Sequence, residues 1–251
     1  MPRLNDANLD MHKLPTGSYG YSAVKMQDLA ATEYTLVTIV NDVSGSVSDY
    51  KKDMEKALGE IISACKYNPR ADNLMIRLVN FNDILSEFHG FKLLSQCSPS
   101  DYDGCLTPNG MTALFDASEN AIMATYDYAK QLSDADFCVN AIIFVITDGD
   151  DNSSASTAKD VAKALGKAVK DERLESVVSV LIGVGAAQNA NLAVFLEDFN
   201  KKAGFTQYIP LADANKRILA KLAEFVSKSI RSQSQSLGTG VASKQMPSLI
   251  I

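Results

Sequence analysis

Along the chain, apolar positions fall into short, nearly continuous runs separated by stretches in which they recur every three to four residues. The runs Leu36–Val40, Leu74–Phe81, Cys138–Ile146 and Val177–Ile182 have few polar interruptions. Strands buried on both faces of a parallel sheet read this way, because neither face meets water. Between them, Met54, Leu58, Ile61, Ile62 and Cys65 share one helical face, as do Leu114, Ala117, Ala121 and Ala124, and later Leu219, Leu222, Val226 and Ile230. Strand, helix and strand in repeating order predict an α/β fold: a doubly wound, mostly parallel sheet with helices on both faces. Residues Asn82 to Lys92 are too few for a crossover helix but enough for a turn and a return, which predicts one antiparallel edge strand. A last strand near Gln207 to Pro210 leads through Asp213, an expected N-cap, into the terminal helix.

The same pattern sets boundaries. Residues 1–33 hold Pro2, Pro15, Gly17 and Gly20 with little periodicity and are expected to form an N-terminal extension. The domain proper spans 34–232, and residues 233–251, rich in Ser, Gln and Gly, form a C-terminal tail. The end of that tail, Met246 to Ile251, is apolar again and is expected to dock on the domain or on a partner. Ser95 to Gly110 is dense in turn-forming residues and reads as a surface loop.

Polar residues at the strand ends carry the candidate chemistry. Asp42, Ser44 and Ser46, in Asp-Val-Ser-Gly-Ser, follow the first apolar run directly. Thr112 stands at a helix start in Gly110-Met111-Thr112-Ala113-Leu114, and Asp148 follows the run ending at Ile146. Each fragment alone reads as a turn or a helix cap. Together they place two carboxylates and three hydroxyls in loops expected to follow strands on one edge of the sheet, where open α/β folds keep their ligand sites. An all-oxygen set suits a small hard cation, and Mg²⁺ or Mn²⁺ is expected.

This pattern resembles the von Willebrand factor A (VWA) family with its metal-ion-dependent adhesion site (MIDAS): Asp-x-Ser-x-Ser, then a distant Thr, then a distant Asp. The likeness runs from about Tyr34 to Ile230 and implies a Rossmann-like fold. It implies that Ser44, Ser46 and Thr112 supply hydroxyl ligands, while Asp42 and Asp148 act on the metal through water. Neutral hydroxyl ligands leave the ion electrophilic, so a partner protein is expected to complete it with an acidic residue. Ile143 to Asn152 also resembles bacterial cytosolic members, which implies an ATPase, kinase or phosphatase of the same pathway as partner. Asn41 departs from the pattern, which usually has an apolar residue before the first Asp.

Composition narrows the alternatives. With 46% hydrophobic residues, 251 residues can bury a full core, and a net charge of −6 opposes nucleic acid or an anionic membrane as partner. Asp6, Asp10, His12 and Lys13 interrupt any apolar leader and no run is long enough to span a membrane, so the cytoplasm is the expected location. The four cysteines form no Cys-x-x-Cys pair, which argues against zinc, and Cys65 and Cys138 read as small buried hydrophobes. No enzyme is expected. A haloacid-dehalogenase-type phosphatase would need a carboxylate where Ser44 stands, a serine hydrolase would need a nearby base that His12 and His89 do not offer, and no phosphate-binding loop is present. A metal-dependent phosphohydrolase and a self-assembling structural subunit remain the alternatives. The nearby Asp116, Asp150 and Asp151 read as a solvated loop, and Asn152-Ser153-Ser154 as a sequon without a role.

Overall fold

The computed structural model describes residues 8–14, 19–171 and 173–237. In chain order they form β1 (Leu9–Lys13), β2 (Gly20–Val24), β3 (Glu33–Asp42), α1 (Lys51–Lys66), β4 (Leu74–Phe81), β5 (Leu85–Leu93), α2 (Leu114–Asp134), β6 (Cys138–Thr147), α3 (Ala158–Lys170), β7 (Val177–Gly183), α4 (Ala190–Ala203), β8 (Gln207–Pro210) and α5 (Lys216–Ser236). The eight strands make one sheet in the order β1-β2-β5-β4-β3-β6-β7-β8. β4, β3, β6, β7 and β8 are mutually parallel, so their C-terminal ends share one edge. This is the expected doubly wound α/β architecture.

Alternation along the strands sorts the core into two layers. Leu36, Val40, Val79 and Val145 pack with Leu114, Ala121, Val161 and Leu196 under α2, α3 and α4. Val37, Ile39, Leu78 and Phe144 pack on the other face with Leu58, Ile61, Leu222 and Val226 of α1 and α5. The chain leaves β3 for α1 on one face and β6 for α3 on the other. The adjacent C-terminal ends of β3 and β6 therefore mark the point where the winding reverses, and a crevice opens there.

Several local expectations need correcting. β5 runs antiparallel to β4 as expected, but it does not end the sheet, because β2 lies beside it in parallel and β1 pairs with β2. The two strands have five residues each, and Asp10, His12, Lys13 and Ser22 break their apolar pattern, which hides them from periodicity. Gly90 makes room for β2: a Cβ there would lie 2.0 Å from the Ser22 carbonyl oxygen. The N-cap of α5 is Asn215, whose Oδ1 accepts from the amides of Arg217 and Ile218, while Asp213 turns back to the Ala214 amide. Cys138 starts β6 at the surface and is exposed, whereas Cys65 is buried. α5 runs to Ser236, with Gln233 buried and its Nε2 donating to the Ala141 carbonyl and Ser176 Oγ. The apolar end Met246 to Ile251 lies outside the described residues.

One charged pair is buried away from the strand ends. Arg77 of β4, 1% exposed, donates from Nε to Glu87 Oε2 at 2.6 Å and from Nη2 to Asn120 Oδ1 at 3.1 Å. Glu87 Oε1 accepts from the amide and the hydroxyl of Ser22, which ties β2 to the sheet. Among the described residues, no helix is long and apolar enough to cross a membrane.

Candidate metal centre

The C-terminal ends of β3 and β6 bring the predicted residues together. Asp42 is the last residue of β3, and its backbone turns at once into a short 3-10 segment, Gly45–Asp49, that carries Ser46. Asp42 Oδ1 accepts from the Ser44 amide at 2.8 Å, and Oδ2 accepts from Thr147 Oγ1, the last residue of β6, at 2.6 Å. Ser44 Oγ and Ser46 Oγ lie 3.2 Å apart, and Ser46 Oγ donates to Asp148 Oδ1 at 2.8 Å. Thr112 completes the group from the third loop. Its amide donates to Asn152 Oδ1 at 2.8 Å, and a Cβ placed on Gly149 would sit 3.4 Å from its Oγ1.

Thr112 reaches this edge by a route that the sequence conceals. It does not follow a strand there, because β5 runs away from the C-terminal edge. The chain returns through residues 94–113, which form a packed segment and not the expected surface loop: Leu94, Cys97, Tyr102, Cys105 and Leu106 are all buried against α1. His89 anchors that segment. Its Nδ1 donates to the Gly90 carbonyl, which fixes the tautomer, so Nε2 accepts from Tyr102 Oη at 2.8 Å. Burial lowers the imidazole pKa to about 3, and the nearby Lys92 charge acts in the same direction. At the upper end, the Asn109 amide donates to the Val43 carbonyl and the Gly45 amide to the Gly110 carbonyl. Gly110 has φ +75°, and a Cβ there would lie 2.1 Å from Asp83 Oδ1, so glycine is required.

Residues that sequence reading passed over hold this arrangement. Thr147 clamps Asp42 and Gly149, and Asn152, read only as part of a sequon, bonds Thr112 in both directions. Asp151 and Ser154 accept from the Phe115 amide, and Ser154 also from that of Asp116, so the loop after β6 caps α2, whose own N-cap Ala113 has no polar side chain to do so. Asp116 reciprocates by accepting from the amides of Ala155 and Ser156. Two of the acidic residues assigned to a solvated loop are therefore clamps between elements.

The electrostatics favour a cation. Burial pushes the Asp42 carboxyl up to about 6; hydrogen bonds from Thr147 and Ser44 oppose this, and the charge of Asp148 adds to it. Tyr50, half-buried and bonded to Asp148, has its hydroxyl pKa raised by desolvation first and by that carboxylate second. Among the described residues no ion pair involves Asp42 or Asp148, so like charges converge without a protein counterion. The donors are all oxygens, three of them hydroxyls, and among the described residues no three His, Cys, Asp or Glu side chains gather as a metal cluster. That chemistry fits a hard cation that keeps part of its own water, and it does not fit a soft metal that needs nitrogen or sulfur.

No protein-family model matches the chain, and no curated protein matches it significantly. Solved structures do. Proximal thread matrix protein 1 from the mussel byssus superposes with a TM-score of 0.54 at 18% identity, over 81% of this chain and 47% of its own, and that protein has also been solved with a zinc-occupied MIDAS motif. A von Willebrand factor type A protein from Catenulispora acidiphila gives 0.53 at 17% identity, over 85% and 45%. The PilB minor pilin from Streptococcus sanguinis gives 0.54 at 16%, over 87% and 66%. The chain spans about half the length of the mussel and Catenulispora proteins. At these identities the likeness is one of fold, and the fold is that of a VWA domain.

Proposed function

We propose that the chain is a metal-dependent protein-interaction module and not an enzyme. In this reading one Mg²⁺ or Mn²⁺ is held by Asp42, Ser44, Ser46, Thr112 and Asp148, and a partner protein adds a carboxylate. The convergence of three sequence-distant loops on two carboxylates that no side-chain cation offsets carries the reading. When bound, a divalent ion supplies an electrophilic position for an outside carboxylate. The chain's own residues pre-set the oxygens: Thr147 and the Ser44 amide fix Asp42, Ser46 fixes Asp148, and Asn152 fixes the backbone of Thr112. Ser46 is exposed, which leaves the group open to a partner.

The net charge of −6 supports a protein partner over nucleic acid or an anionic membrane. Buried free thiols at Cys65, Cys97 and Cys105 support a reducing compartment, the cytoplasm, where an ATPase, kinase or phosphatase of the same pathway would be the partner. Titration calorimetry with Mg²⁺ tests the metal site. One site per chain is expected in wild type and none in Ser44→Ala/Asp148→Ala; equal affinity in both would overturn the reading. Chelator-sensitive phosphatase turnover lost in Asp42→Ala would replace the module with a phosphohydrolase.

A further inference from the structure

The surface around the candidate metal centre is uneven. On the side of the β4–β5 turn, Ile84 is 61% exposed and Met111, next to Thr112, is 54% exposed. Bulky apolar side chains at such exposure lose the stabilisation that burial would give. The two are carried by one bonded cluster: Asn82 Nδ2 donates to the Asn109 carbonyl, the Ala113 amide donates to the Asn82 carbonyl, and the Ile84 amide donates to Asn82 Oδ1. Gly110 packs against Asp83 in the same cluster. The apolar pair is thus continuous with the loop that presents Thr112, and it is held by the same hydrogen bonds. Asp83, beside Gly110, is exposed in this cluster, and Asp49 and Asp150 are exposed in the two loops that carry Ser46 and Asp148; with Lys52 as the exposed cation nearest in sequence to Asp49, these loops carry an acidic excess.

We propose that this face selects a protein segment with a single carboxylate beside a bulky apolar residue, in an otherwise non-acidic stretch. The carboxylate goes to the metal, the apolar side chain covers Met111 and Ile84, and the acidic excess of the loops repels segments that carry further acidic residues. This rests on the metal-dependent reading and specifies which partners it admits.

The test uses the full chain loaded with Mg²⁺ and synthetic peptides built around one central Asp. One peptide has Leu beside the Asp, one has Ser in its place, and one embeds the Asp–Leu pair in an acidic run. Wild type should bind the Leu peptide about tenfold more tightly than the Ser peptide, and more tightly than the acidic-run peptide. In Met111→Ser/Ile84→Ser, with Mg²⁺ affinity and melting temperature retained, the Leu preference should fall to about twofold or less. Chelator-sensitive binding with no Leu preference, or with the same preference in the double variant, overturns the inference and leaves the metal reading standing. Tightest binding of the acidic-run peptide overturns it, as does failure of the Mg²⁺-loaded protein to bind any of the three. Binding unaffected by chelator and by Thr112→Ala overturns the metal reading and this inference with it.

Discussion

Two of the places where the molecule buries charge are treated in opposite ways. Between β4, β5 and β2, Arg77 meets Glu87, and the remaining carboxylate oxygen is taken by Ser22. At the C-terminal ends of β3 and β6, Asp42 meets Asp148, with hydroxyls and amides around them and no cation from the chain. The first arrangement neutralises its charge within the fold, with Arg77 Nη1 alone of its donors left unbonded, and it fixes β2 in place. The second pairs like with like, so burial raises the carboxyl of Asp42 instead of satisfying it. Buried charge that the fold neutralises is structural, whereas the charge left concentrated at Asp42 and Asp148 is what the proposed metal would offset.

Substitutions separate the two. Arg77→Met should have the largest effect, a loss of about 3 kcal/mol of stability in urea titration, because the Glu87 carboxylate is left without its cation and Asn120 Oδ1 without its donor. That estimate takes the low end of the usual range because Glu87 is partly exposed. Asp148→Asn should do the reverse of Arg77→Met. Mg²⁺ affinity should drop at least about tenfold by calorimetry, while metal-free stability stays within about 0.5 kcal/mol of wild type, because a repulsion is removed along with a hydrogen bond. If both variants lost stability equally, the contrast would fail.

His89 gives an intermediate case, a buried titratable group kept neutral by its surroundings. Its folded pKa of about 3 lies below the ordinary 6.5, so between these values the unfolded chain binds the extra proton. The contribution is therefore fully present above pH 6.5 and is lost as pH falls toward 3, at about 1 kcal/mol per pH unit in chemical denaturation. His89→Asn should flatten that slope. The smallest effect is expected from Ser22→Ala, about 1 kcal/mol in thermal melts, since Glu87 keeps Arg77 and the Ser22 amide.

What could be read in the sequence follows from how strongly each element depends on local pattern. β4 coincides with its apolar run and β8 with the expected last strand, and β3, β6 and β7 extend their runs by at most three residues at either end, because parallel strands covered on both faces keep polar interruptions few. Asp42, Ser44, Ser46, Thr112 and Asp148 were visible as fragments, and the structure brings all of them to one crevice. Thr147 was invisible because it reads as the last residue of a strand, and its role arises only through Asp42, 105 positions away. Asn152 was misread for the same reason, since its partner Thr112 lies 40 residues upstream. β1 and β2 escaped notice because a short hairpin with polar residues on both faces has no period to detect.

The two outermost strands have a consequence for how copies of this protein meet. A sheet that ends in an open strand offers a ladder of unpaired amides and carbonyls to any neighbour, and lateral growth from chain to chain is the usual hazard. Here one flank is β1, five residues with Asp10 and Lys13 among them, and the other is β8, four residues closing on Pro210, which has no amide hydrogen to give. Among the described residues, both flanking strands are short and poorly matched as templates for another strand. Strand-to-strand growth along these two flanks is therefore disfavoured, and contacts between copies would draw on helices and loops instead.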